Sequence, residues 1–384
     1  MSARDSAPSR GWEERRTGPV ELLWDLVFVF AITQVTALLA DDLTWAGTGR
    51  GLLILALMWW AWSAFVWAAN AQEARSATLR GALLLAMVLI FVAGLAVPSA
   101  FGDLATLFAV SYVGVRILHL VLYADASRRG NASWRAIAGF AATVLVGMAL
   151  LVTGSFLSAS AQTALWAVAV AIDYAGPAWL TREQLRGLQA VAVAHFAERY
   201  GLFVIICLGE SLVAVGLGAS GHEIDARLLA AAVAGVLITI GLWWTYFEGV
   251  AEAAESRLRT HEDPVLAAAD SYSYLHLVIV TGIIVFAVGM KKALPADADP
   301  LDDAARLALY GGVATYLAGL AAFRVRLLGS AGREIVAVPV LLLLAVVALE
   351  VPAWAAVALA AVVVVGLCVL AFRPASAEAP LRAP

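Results

Sequence analysis

Apolar runs of about twenty residues recur along the whole chain, each separated from the next by a few polar residues, Gly or Pro. At 1.5 Å per helical residue, roughly 20 residues cross the hydrocarbon core of a bilayer. Backbone in lipid must satisfy its own hydrogen bonds, so such runs fold as helices and open sheets are excluded. Only 14% of the 384 residues are charged and 62% are hydrophobic, whereas a soluble domain carries about 25% charged residues. The expected fold is all-α: a polytopic membrane protein, not a water-soluble globule.

Twelve spans are predicted, at 20–40, 51–70, 80–98, 104–124, 134–153, 159–180, 196–217, 228–250, 272–290, 305–323, 335–349 and 353–372. Between the last two, Glu350, Val351 and Pro352 read as a tight turn rather than a kink. The first 19 residues are polar, carry Arg4, Arg10, Arg15 and Arg16, and lack the short apolar core of a cleaved leader. Residues 1–19 are read as a polar cytoplasmic segment, 181–195 as a cytoplasmic connector and 374–384 as a disordered cytoplasmic tail.

Alternate assignment of the loops puts 19 of the 25 Lys and Arg on the side of the N-terminus. Arg50, Arg227, Lys291 and Lys292 fall on the other side, and Arg116 and Arg306 within spans. The positive-inside rule then places both termini in the cytoplasm. The basic residues are scattered and the net charge is -4, which argues against nucleic-acid binding. Cys207 and Cys368 both sit in apolar runs, excluding a disulfide framework and a Cys-based zinc site. No metal or cofactor motif is present.

The two halves read as copies. Met58-Trp59-Trp60 matches Leu242-Trp243-Trp244, Arg75 matches Arg259, and Tyr112-Val113-Gly114-Val115 matches Tyr310-Gly311-Gly312-Val313. Arg135-Ala136-Ile137 and Arg333-Glu334-Ile335 complete the series, the offset growing from about 177 residues at the first span to 198 at the fifth. Residues 20–180 and 196–373 are thus predicted to be two six-helix repeats. An even number of spans inserts both the same way up, giving parallel repeats about an axis along the membrane normal.

Ionisable groups inside spans are costly and mark candidate sites. Glu21 and Asp25 share a face of the first span, with Thr36 near the same stripe and Thr33 at its edge. In the fourth span Tyr112, Arg116, His119 and Tyr123 fall within roughly 60° of arc. Asp173 shares a face with Trp166 in the sixth. His195, Glu198, Arg199 and Glu210 occupy about 120° of the seventh. Asp25, Arg116 and Asp173 come out at one depth, roughly 8–12 Å inside, so an Arg116 bridge between two carboxylates is expected. Glu210 lies roughly 18 Å deeper than Glu198, near the midplane, with no basic residue assured at its level. All these residues are candidates for transport or proton binding.

Plainer readings stand beside these. Glu21 and Asp25 could be first-turn acids favoured by the helix dipole, and Arg116 with Asp25 or Asp173 a clamp that locks the fold. His195, Glu198 and Arg199 read as solvated or capping groups at the interface. The Trp pairs read as packing or interfacial-belt residues, and Asp297, Asp299, Asp302 and Asp303 as a solvated acidic loop. Gly209-Glu210-Ser211 lacks the second Gly of a nucleophile elbow, since Val213 stands there.

Two segments resemble the bacterial low-temperature-requirement A family. One runs from Glu21-Leu22-Leu23-Trp24-Asp25 through Leu26-Val27-Phe28-Val29-Phe30-Ala31. The other is His195-Phe196-Ala197-Glu198-Arg199-Tyr200-Gly201-Leu202, continuing to Leu208-Gly209-Glu210-Ser211. Trp24 departs from the Phe common in that family. The resemblance covers nearly the whole chain and implies a bacterial inner-membrane protein linked to growth in the cold. Asp25 to Thr33 is also similar to the first-helix motif of the twelve-helix endolysosomal potassium channels, although the seventh span lacks its counterpart. These features favour a transport or permeation protein whose partners are the bilayer and a small solute, ion or proton. The alternatives are a non-transporting sensor or stress-adaptation protein and, third, a lipid-modifying enzyme, for which no nucleophile–base pair is visible.

Overall fold

The computed structural model describes residues 17–70, 76–129, 134–180, 192–296 and 298–372. These form helices α1 (Pro19–Asp41), α2 (Trp45–Asn70), α3 (Ala77–Ala96), α4 (Ala105–Arg128), α5 (Trp134–Gly154) and α6 (Ala159–Ala175). Then come α7 (Val193–Ala219), α8 (Ala226–Arg259), α9 (Pro264–Ala296), α10 (Asp303–Leu328), α11 (Glu334–Val347) and α12 (Ala353–Phe372). Among the described residues there is no strand, only an isolated bridge between Pro300 and Pro352. Arg4, Arg10, Arg15, Arg16 and Arg75, most of 181–195 and the tail 374–384 lie outside the described residues.

Among the described residues, ten helices are long and apolar enough to cross a membrane. The two short of that length are α11, with 14 residues, and α6, with 17. The turn expected around Glu350–Pro352 is present, and just after it Ala353 N donates to Asp299 O of the α9–α10 loop at 2.9 Å. The ninth span starts at Pro264 rather than 272, because the polar stretch Asp270–Tyr274 continues the helix as a π turn, Ala269–Leu275. Further π turns, Gly176–Leu180 and Phe247–Ala251, follow α6 and interrupt α8.

Local chemistry sets the ends. Pro19 occupies the first turn of α1, where Gly18 N donates to Glu21 Oε2 at 2.8 Å. Asp225, Asp263 and Asp302 cap α8, α9 and α10 by accepting backbone amides. Asp302 and Asp303 are therefore not part of a merely solvated loop: the first is a cap and the second pairs with buried Arg306 at 2.6 Å.

Lipid tails are as apolar as leucine, so helix association here depends on close van der Waals fit. α9 and α10 show how it is reached. Gly282 and Gly289 face the backbone of Tyr316 and Leu309, and Gly312 and Gly319 face that of Phe286 and Ile279. A Cβ at any of them would press on opposing main chain. Gly312→Ala is expected to cost about 1–3 kcal/mol, read as a lower melting temperature of the purified protein. Gly366→Ala is the control, since a Cβ at Gly366 meets nothing within 4 Å.

Neighbours follow a regular order. α1 packs on α2 and α3, α3 on α4, α4 on α5, α5 on α6, and α2 on α4 and α6. α7 packs on α8 and α9, α9 on α10, α10 on α11, α11 on α12, and α8 on α10 and α12. α1 also meets α7 and α9, joining the two halves of the chain.

Candidate functional site

α1 and α7 run parallel, and their shared seam collects buried charge. Near its start, Arg199 Nη2 donates to Asp25 Oδ1 at 2.6 Å, while Arg199 Nη1 lies 3.6 Å from Glu21 Oε1. His195 Nε2 donates to Glu21 at 3.2 Å, and from α2 the indole of Trp62 donates to Asp25 Oδ1 at 2.8 Å. All five side chains are buried. Charge-assisted bonds of this kind hold ions out of water only when the geometry is good on both sides.

This corrects two expectations. His195 and Arg199 are interior groups, not solvated interfacial ones; of the three only Glu198 is exposed, where it accepts from Thr17 N at 3.2 Å. Asp25 takes its cation from α7 rather than from Arg116. A depth estimate along one helix does not fix which way that helix is turned towards its neighbours. Glu21 keeps its first-turn role through Gly18 and adds the ion pairs, so both readings of that residue apply.

Arg116 pairs instead with Asp173, Nη2 to Oδ1 at 2.9 Å, joining α4 to α6. His119, one turn further on, is buried between the rings of Tyr123 (5.0 Å) and Phe140 (5.3 Å). Trp166, on the same helix as Asp173, donates to Leu151 O of α5 at 2.9 Å. α2 stands between the two ion pairs. Its Trp62 serves Asp25, and its Trp60 stacks on Tyr174, the neighbour of Asp173, at 4.0 Å. Trp59 and Trp60 are buried and are not belt residues, whereas Trp243 is exposed.

Further along the seam, Thr33 Oγ1 donates to Glu210 Oε2 at 2.6 Å. Glu210 is buried, and its partner is a hydroxyl on α1. Thr33 is about 12 Å along α1 from Asp25, and Glu210 about 16 Å along α7 from Arg199.

One cluster escaped sequence reasoning. Ser63 donates to Ser273 Oγ at 3.2 Å, and Tyr200 OH lies 2.7 Å from Ser63 Oγ and 3.1 Å from Ser273 Oγ. With Ser63 donating to Ser273, the remaining protons run from Ser273 to Tyr200 and from Tyr200 to Ser63, closing a one-way ring whose bonds reinforce one another. The indoles of Trp59 and Trp67 hold Ser273 by its carbonyl (2.7 Å) and hydroxyl (2.8 Å). Beside it, His276 Nδ1 donates to Ser271 O at 2.9 Å, so Nε2 accepts from Tyr246 OH at 2.8 Å. The available signal was the stripe Trp59, Trp62, Ser63 and Trp67 on one helical face of α2.

A family model described as "Bacterial low temperature requirement A protein (LtrA)" matches residues 16–371. The chain is also 30% identical, over 307 residues, to "Uncharacterized protein RA0937" of Rhizobium meliloti (strain 1021). That match covers 78% of this chain and 75% of the relative. No solved structure matches the chain.

Proposed function

Because the chain belongs to the bacterial low temperature requirement A family, we propose that it is an inner-membrane transport or ion-permeation protein whose path follows the α1–α7 seam. The observation that carries this reading is the placement of buried ionisable groups at two levels of one seam: Glu21, Asp25, His195 and Arg199 near its start, Glu210 with Thr33 further in. Ionisable groups persist inside a membrane when they pair or line a route. At the first level two carboxylates face one guanidinium, and one further proton on the imidazole brings the group to zero net charge. Such a cluster is suited to coupling proton uptake to rearrangement of the seam. The Arg116–Asp173 pair and His119 lie off the seam and act as a clamp between α4 and α6.

Two parallel six-helix repeats support a central path. Every neighbour pair named in the first six helices has its counterpart six helices later. Thr33 and Glu210 are 177 residues apart, the offset read for the first span, so two equivalent positions touch where the pseudo-two-fold axis would pass. The distribution of Lys and Arg favours cytoplasmic termini. A reporter fused after Arg373 is expected to read cytoplasmic and one inserted at 297–303 external; the same side for both would overturn the twelve-span topology.

The decisive experiment is reconstitution in vesicles with pH- and ion-sensitive dyes. Flux that depends on the protein and falls in an Arg199 variant is the expected result; absence of flux across ion and pH gradients would overturn the transport reading. One observation favours the alternative of a membrane stress sensor: Asp25 and Asp173 are each paired with a buried arginine, as in a switch held by its ion pairs.

A further inference from the structure

A cleft of about 370 Å³ opens where the C-terminal end of α1, the N-terminal end of α2 and the α3–α4 turn meet, at the end of the bundle away from the Arg199 cluster. Asp42, Arg50 and Asp103 all line it, with Leu38 and Phe101 supplying apolar wall. The polar groups are held in place. Asp42 Oδ1 accepts from the amide (3.1 Å) and hydroxyl (2.6 Å) of Thr44. A Cβ at position 47 would run into the Asp42 carboxylate, so Gly47 is what allows that carboxylate to rest over the first turn of α2. The Thr44 hydroxyl and amide, followed by Arg50, hold the Asp42 carboxyl below its ordinary range, which keeps it ionised. The guanidinium of Arg50 sits over the ring of Phe101, 5.5 Å from its centroid. That contact orients the cation without neutralising it, and among the described residues no carboxylate lies within ion-pairing distance of Arg50.

One unpaired guanidinium and two carboxylates thus share a single small cleft. A lone anion would meet both carboxylates, and a lone cation would meet the guanidinium. The complementary ligand carries both signs within one small body. We propose that this cleft binds a small zwitterion with an apolar body. Its carboxylate lies on the fork of Arg50, its ammonium between Asp42 and Asp103, and its body against Leu38 and Phe101. Guanidinium–carboxylate pairing is bidentate and directional, and the volume lies near the lower end of the roughly 300–1,000 Å³ typical of small-molecule pockets.

The test is calorimetric titration of the full-length protein in nanodiscs with L-valine, beside isobutyrate and isobutylamine, which each keep one of its two charges. Saturable valine binding is expected, with each analogue at least tenfold weaker. Arg50→Gln and Asp103→Asn should each weaken valine at least tenfold. Asp103 is exposed, so its variant tests the site even where loss of Arg50 disturbs the fold. The proposal is overturned if the unmodified protein shows no saturable valine binding, if isobutyrate binds as tightly as valine, or if Asp103→Asn leaves valine affinity unchanged. Binding is read without any gradient, so it stands or falls separately from flux along the seam.

Discussion

Arg199→Ala is expected to destabilise the protein by on the order of 3–5 kcal/mol, because it strands the buried carboxylates of Asp25 and Glu21 without their shared guanidinium. Denaturant or thermal unfolding of the purified protein in detergent measures it. The pairing makes a sharper statement than the loss itself. Combining Asp25→Asn with Arg199→Gln removes both charges while keeping hydrogen-bonding shapes, so the double variant should recover a large part of the loss. Asp25→Asn combined with Arg116→Gln should instead be additive, because Arg116 is bonded to Asp173. Coupling between Asp25 and Arg116 as strong as that between Asp25 and Arg199 would show that the two ion pairs are one network. Strict additivity between Asp25 and Arg199 would show that they do not meet.

The contrast between these arginines marks what the sequence could convey. Hydropathy placed the helices well where chain polarity changes abruptly: α12 spans Ala353–Phe372 as read, and α1 exceeds its predicted span by one residue at each end. Boundaries failed where polar residues are paired with a partner of opposite charge. Asp270 lowers the apparent hydropathy ahead of the ninth span, yet Arg326 reaches it at 2.9 Å and the helix continues. The charged end of α8 is likewise helical, with Glu255 and Arg259 paired at 2.6 Å. At the site, a helical wheel orders residues on one helix but says nothing of the rotation of that helix against its neighbours. Glu21, Asp25, His195, Arg199 and Glu210 were therefore all legible as candidates, while the choice of Arg199 over Arg116 was not. The Ser63–Tyr200–Ser273 ring lay further out of reach. Its members come from three helices, and none is costly enough in lipid to draw notice alone.

Glu210→Gln is expected to abolish flux, by at least tenfold, while leaving folding and insertion intact. The amide oxygen can still accept from Thr33 Oγ1, which now donates at 2.6 Å, so the seam keeps its local hydrogen bond and loses only a group able to exchange a proton. The dependence of flux on pH should disappear with it. Glu210→Asp should keep part of the activity, since an acid survives one methylene further from Thr33. Thr33 supplies the independent arm. Thr33→Val keeps the shape of the side chain but removes the donor, and should move the midpoint of the pH response, whereas Thr33→Ser should leave it in place. Vesicle flux across a pH series, alongside melting temperatures for each variant, separates these outcomes from simple misfolding. Full activity and an unchanged pH response in Glu210→Gln would leave Glu210 a packing residue hydrogen-bonded to α1. The seam would then have to conduct, if at all, through the Glu21–Asp25–His195–Arg199 cluster alone, and that cluster is closed by its own ion pairs.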